Sequence, residues 1–169
     1  MESRIYLVGF MGVGKSTIGK KLARMLHYRF VDLDKMFERR YKLNINLFFN
    51  KYNEPLFREL ESKLLTETFE LENTVISTGG GTPCHHEGID AMNRHGLTVY
   101  LKMGPAALAS RLKTAKKRRP LLLDKNEEEL ERFIVEKLNN RKSCYEKAQI
   151  HVEALNLKTW ELIKIITGE

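Results

Sequence analysis

Short, continuously apolar runs alternate along the chain with longer stretches whose apolar residues return every three or four positions. The runs at 5–8, 29–31, 74–77, 97–101 and 150–152 predict β-strands, several of them apolar throughout, as strands covered on both faces are. The longer stretches at 15–26, 55–71, 86–95, 105–114, 127–148 and 158–167 predict helices. Strand and helix in alternation predict an α/β fold, a parallel sheet with helices on both sides. No repeat, low-complexity tract or linker divides the 169 residues, so a single domain spanning 1–169 is expected.

Two helical stripes contain a residue that does not belong in an apolar face. Phe57, Leu60, Glu61, Leu64 and Leu65 fall on one side of a helix, so Glu61 interrupts the stripe, with Arg58 three residues before it. An exposed helical ion pair accounts for this spacing as readily as a polar-ligand site does. Leu130, Phe133, Ile134 and Leu138 run on, at spacings of three and four, into Arg141 and Tyr145. A cation there either points inward at a group such as a carboxylate or snorkels from the stripe's edge.

Three predicted strands end in chemically distinctive residues. After the first comes GFMGVGKST at 9–17, which fits G-x-x-x-x-G-K-[ST] from Gly9 to Ser16. Its glycines let successive N–H groups turn inward into an anion nest, and the helix that follows points its positive end at the same place. Gly12, Val13, Gly14, Lys15, Ser16 and Thr17 are therefore candidates for binding ATP. Within them Lys15 addresses the β- and γ-phosphates and Ser16 offers a hydroxyl to Mg²⁺. After the second strand, FVDLD sets Asp32 and Asp34 two apart, beyond a carboxyl end where open parallel sheets bind ligands. A helix N-cap plus a surface acid is the competing explanation. After the third, STGGG at 77–81 offers N–H donors and lets a ligand approach the backbone; a simple connector competes. Further on, KTAKKRRPLLL at 113–123 suits a solvated face, a nucleic-acid patch, or a lid that brings an arginine over ATP.

Charge narrows the partners and the composition narrows the setting. A net charge of +7 favours nucleotides, phosphorylated or carboxylate metabolites, or nucleic acid. No aromatic stacking motif or recognition fold supports nucleic acid, so none is expected as a partner. Apolar runs this short predict no membrane span, and no secretory segment opens the chain, so a cytoplasmic protein is expected. The two cysteines, Cys84 and Cys144, are expected as free thiols. Cys84-His85-His86 has metal-ligand chemistry, but adjacent ligands without a second cluster lack the spacing of a structural zinc site.

Taken in order, these motifs resemble shikimate kinase over nearly the whole chain. The resemblance rests on the P-loop, DLD, Arg58 with Glu61, TGGG, RPLL and the series Arg141, Tyr145, Ala148. It implies a P-loop fold of the nucleoside-monophosphate-kinase type, three-layered, with a five-stranded parallel sheet in order 2-3-1-4-5. The implied substrate-binding segment spans about 32–62 and the lid about 113–124. The implied reaction is ATP-dependent phosphorylation of the 3-hydroxyl of shikimate, a step toward the aromatic amino acids, by a cytoplasmic enzyme expected to be a monomer. Asp34 then contacts the shikimate hydroxyls, Arg58 and Arg141 hold its carboxylate, and Gly79, Gly80 and Gly81 line the pocket with Glu61 among them. Met11, Phe49 and Phe57 wall that pocket. Arg111 lies against adenine, Arg119 of the lid, or Arg118 in its place, reaches the phosphates, and Asp32 stands near the waters of Mg²⁺. Lys15, Asp34 and Arg119 carry the catalytic roles. The chain departs from the family at Lys42 and Asn53, where glycines are common, and in HVEALNL, which lacks a common proline. Two rival functions are another small-molecule kinase of this fold, such as a gluconate or nucleotide kinase, and a nucleotide-regulated nucleic-acid-binding module.

Overall fold

The computed structural model describes residues 3–114 and 126–168. Five parallel strands, β1 (Arg4–Val8), β2 (Arg29–Asp32), β3 (Thr74–Ser77), β4 (Leu97–Lys102) and β5 (Ile150–Glu153), form one sheet in the order β2-β3-β1-β4-β5. β1 lies at the centre, pairing with β3 from Arg4↔Thr74 and with β4 from Ile5↔Leu97.

The unbroken apolar runs follow from the two-sided covering of this sheet. Ile5 and Leu7 of β1, Val75 of β3 and Val99 and Leu101 of β4 pack into one core with Leu22, Leu108, Ile134 and Leu162. Their alternating neighbours Tyr6, Val8, Ile76 and Tyr100 pack into a second core with Phe57, Leu64, Ile89, Met92 and Tyr145. Successive strand residues face opposite ways, so a strand buried on both sides has no polar register to keep.

Eight helices surround the sheet among the described residues: α1 (Lys15–Leu26), α2 (Leu33–Tyr41), α3 (Ile45–Lys51), α4 (Glu54–Glu67), α5 (Gly88–His95), α6 (Pro105–Thr114), α7 (Glu127–Tyr145) and α8 (Thr159–Thr167). Two of them, α2 and α3, are absent from the sequence-based expectation. Asp32 caps α2 by accepting from the Lys35 N–H at 3.2 Å, and Asn44 caps α3 by accepting from Asn46 N–H at 2.9 Å. Their few apolar residues are held by an aromatic cluster. Phe37 of α2 lies 4.8 Å from Phe57 of α4 and 5.2 Å from Phe48 of α3 between ring centroids.

The departures at positions 42 and 53 have local explanations. Lys42 takes the left-handed conformation (φ 54°) where α2 stops, a place that suits glycine. Asn53 has a negative φ and instead caps α4, its side chain accepting from Leu56 N–H at 2.9 Å. The predicted helix 55–71 ends earlier, with a 3₁₀ turn at Thr68–Glu70.

Cys84 and Cys144, expected as free thiols, are joined in a disulfide. Cys84 closes a 3₁₀ turn (Thr82–Cys84) that packs on α7, bringing the two Cα atoms within 5.5 Å, a span that a disulfide bridges. With the Cys84 sulfur so committed, Cys84-His85-His86 is not a ligand triad.

Candidate active site

The site gathers at the carboxyl ends of β1, β2 and β3, where the chain leaves each strand for a helix or loop. Beyond β1, Gly12 and Gly14 adopt φ of 83° and 105°, the left-handed turns that curl the loop ahead of α1. Gly14 caps that helix, and its carbonyl accepts the first helical hydrogen bond from Ile18 N–H. Lys15 is 8% exposed, and its ammonium donates to the carbonyls of Gly9 (2.7 Å) and Phe10 (3.0 Å). The loop thus holds its own lysine over the nest. Thr17 lies exposed on α1, while Val13 is buried and its carbonyl accepts from Arg111 Nη1 at 3.0 Å. That contact brings α6 against the P-loop.

Ser16 Oγ donates to Asp32 Oδ2 at 2.6 Å and lies 3.3 Å from Ser77 Oγ. Asp32 therefore serves both readings offered for it: one carboxylate oxygen caps α2 and the other meets the P-loop serine. Asp34, in the first turn of α2, turns the other way, toward Gly79.

The three glycines after β3 bring the remaining candidates together. A Cβ added at Gly79 would lie 2.7 Å from Glu61 Oε1, 2.8 Å from Thr82 Oγ1 and 3.1 Å from Asp34 Oδ1. At Gly80 it would lie 3.2 Å from Arg141 Nη1 and 3.5 Å from the Met11 backbone nitrogen. At Gly81 it would meet the Arg58 guanidinium at 2.5 Å. Each glycine thus faces a different charged side chain, and the middle one touches the P-loop as well. Close approach, rather than unusual backbone angles, is what excludes side chains here.

Two arginines and one carboxylate define the electrostatics. Glu61 is buried; Oε2 accepts from Arg58 Nη1 at 2.8 Å and Oε1 accepts from the Thr82 hydroxyl at 2.6 Å. Burial pushes its carboxyl above the usual range, opposed by Arg58 and the Thr82 hydrogen bond and assisted by the nearby Asp34 charge. Arg58 also pairs with Glu54 at 3.0 Å. Arg141 sits over the Phe10 ring at 5.6 Å, and its Nη1 is buried with no hydrogen-bond partner among the described residues. Phe57 and Phe49 stand beside the cradle with rings 4.7 Å apart. An open groove of about 970 Å³ runs past Ser16, Asp32 and Asp34. The two arginines are not part of its lining and meet at the glycine loop instead.

Thr82, which the structure places in the cradle through its bond to Glu61, is the side chain that sequence reasoning missed. Its only signal was its place directly after the glycine triplet. Arg119, Arg118 and most of the expected lid lie outside the described residues.

The chain is similar to known proteins over most of its length. The family model for shikimate kinase matches residues 11–167. Shikimate kinase of Bacteroides fragilis is 48% identical over 145 residues, 86% of this chain and 81% of that protein. The crystal structure of shikimate kinase from Bacteroides thetaiotaomicron superposes with a TM-score of 0.94 at 39% identity, covering 100% of both chains. Shikimate kinase from Acinetobacter baumannii in complex with shikimate gives a TM-score of 0.87 at 31% identity, over 98% of this chain and 93% of that one.

Proposed function

This chain belongs to the shikimate kinase family, and on that premise we infer that it transfers the γ-phosphoryl group of ATP to the 3-hydroxyl of shikimate. The products are shikimate 3-phosphate and ADP. The observation that carries the reading is Arg141: a buried guanidinium nitrogen without a partner among the described residues, beside a backbone bare of side chains, is a place prepared for an anion. Arg58, already fixed by Glu61, supplies the second cation, so that a carboxylate can be gripped from two sides.

In this reading the substrate carboxylate docks between Arg58 and Arg141, and the ring lies against Phe57, Phe49 and Met11. Anchoring the carboxylate aims the hydroxyl in line with the γ-phosphate and removes much of the entropic barrier. Asp34 orients that hydroxyl and accepts its proton late, since a loose transition state needs little early deprotonation. Lys15 exchanges its bonds to Gly9 and Phe10 for phosphate oxygens, while the loop amides and Arg119 stabilise the equatorial charge. Arg111, drawn to the P-loop at Val13, is assigned to the adenine side. Gly12, Gly14 and Thr17 complete the ATP cradle.

Ser16 and Asp32 present only oxygen donors, a set that fits a hard divalent cation such as Mg²⁺. When bound, that ion supplies charge neutralisation along the phosphates. The reading includes a cytoplasmic monomer with the substrate segment and lid in the ranges given above. No described helix is long and apolar enough to cross a membrane.

The test is ATP turnover by the purified protein with shikimate, gluconate, nucleoside monophosphates or no acceptor. ADP release that depends on shikimate alone is expected; equal turnover with gluconate or a nucleotide would overturn the assignment.

A further inference from the structure

Tyr145 is fully buried on the inner side of α7, four residues after Arg141. Its ring packs on Tyr100 with centroids 5.0 Å apart, and its hydroxyl donates to the Gly80 carbonyl at 2.5 Å. The Arg141 guanidinium stands beside the same phenolic oxygen.

The hydrogen bonds of the glycine loop show why this contact matters. Gly79 O accepts from Thr82 N–H at 3.3 Å, and Gly81 O accepts from Cys84 N–H at 3.0 Å. Those two carbonyls are held by the local turn. The Gly80 carbonyl is held from outside the loop, by Tyr145. Among the described residues neither Gly80 N–H nor Gly81 N–H donates to the protein. A glycine triplet has no side chains to lock its peptide planes. The Gly80 carbonyl and the Gly81 N–H belong to one planar trans peptide and point in opposite directions. Fixing the carbonyl against α7 therefore fixes the N–H away from α7, in a residue so close to Arg58 that a Cβ on it would meet the guanidinium.

We propose that Tyr145 is a positioning residue: its hydroxyl sets the Gly80–Gly81 peptide so that the N–H faces the substrate carboxylate, and it registers Arg141 against the same loop. This rests on the shikimate reading of the pocket. Tyr145 touches neither substrate nor nucleotide and acts through the loop and the arginine.

The experiment uses Tyr145→Phe, which keeps the ring on Tyr100 and removes only the hydroxyl. The shikimate KM should rise about three- to tenfold, the worth of one neutral hydrogen bond, while the ATP KM stays close to the parent's and the melting temperature falls by only a few degrees. An unchanged shikimate KM in the folded variant, or equal rises in both KM values, overturns the proposal. A second readout does not depend on turnover. In ¹⁵N-glycine spectra the Gly81 amide should give one sharp resonance in the parent and a broadened or doubled one in Tyr145→Phe. A single sharp Gly81 resonance in both proteins also overturns it. If the parent fails to phosphorylate shikimate, the functional reading falls, whereas the amide spectra still decide the role of Tyr145.

Discussion

Arg58 and Glu61 form a 2.8 Å ion pair in which the side chains are only 11% and 5% exposed. The same carboxylate accepts from Thr82, so one buried acid anchors both a candidate ligand-binding cation and the turn after the glycine loop. Glu61→Ala leaves Arg58 and Thr82 without that acceptor. Removing one partner of a buried pair costs on the order of 3 kcal/mol, which urea unfolding will register. The shikimate KM should rise with it, and the ATP KM should hold. A variant as stable as the parent would show that Glu54 alone suffices to hold Arg58.

Gly81→Ala probes the close approach directly. The added methyl meets the end of a flexible side chain, the Arg58 guanidinium, rather than backbone. The protein should fold normally and bind shikimate at least about tenfold more weakly, as expected when a charge-assisted hydrogen bond is displaced. Calorimetric titration separates the two effects, and unaltered affinity would place the carboxylate elsewhere.

Lys15→Ala should remove most phosphoryl transfer and leave shikimate binding largely intact, because the ammonium, held over the P-loop by Gly9 and Phe10, is assigned here to the phosphates. Near-normal turnover would refute the P-loop assignment.

Arg141 offers the sharpest contrast between chemically similar side chains. A guanidinium meets a carboxylate through two parallel hydrogen bonds, a fork that lysine cannot reproduce. Arg141→Lys should therefore already lower kcat/KM for shikimate, and Arg141→Ala should cost about 2–5 kcal/mol of binding. A shikimate analogue lacking the carboxylate should bind the parent poorly and ignore the mutation. If the analogue and shikimate lose equal affinity, Arg141 supports the fold rather than the ligand.

Alkaline titration tests the second core. Burial raises the phenol pKa of Tyr6 and Tyr145, and pushes that of Tyr100 up to about 12. The folded state therefore holds these protons more tightly than the unfolded chain does. The stability they contribute is complete below pH 10, the ordinary phenol value, and is lost as pH rises toward about 12. Phenolate absorbance should show a late component that Tyr100→Phe reduces. Ionisation of every tyrosine in one step near pH 10 would contradict the burial of these rings.

The inner strands β1, β3 and β4 were legible because burial on both faces leaves a largely apolar signature that needs no partner to be read. Glu61 and Arg141 were legible as faults in otherwise apolar stripes, and the P-loop as a spacing that phosphate chemistry demands. Helices α2 and α3 were not. Their cohesion comes from Phe37, Phe48 and Phe57, rings that meet only after folding, while locally α2 is rich in charge and α3 spans only two turns. The Cys84–Cys144 link was invisible for a similar reason: 60 residues separate partners that a 3₁₀ turn and α7 bring together. Thr82 illustrates the general limit, since a threonine gains its role from the carboxylate it finds.

The glycine triplet also constrains how this pocket can evolve. Because Gly79, Gly80 and Gly81 each abut a different charged side chain, a substitution at any of them disturbs a separate contact, and no one compensating change elsewhere repairs all three. The part of the pocket proposed to hold the carboxylate is thereby constrained. The α3 side is not: Leu47, Phe49 and Tyr52, on α3 and at its end, are exposed, and Phe49 meets the cradle through a ring contact with Phe57 that tolerates exchange. Lineages that drift toward a different carbocyclic or sugar acid should therefore keep the triplet and its two arginines and change along α3. A library randomised over α3 would reach such variants far sooner than one randomised over the loop.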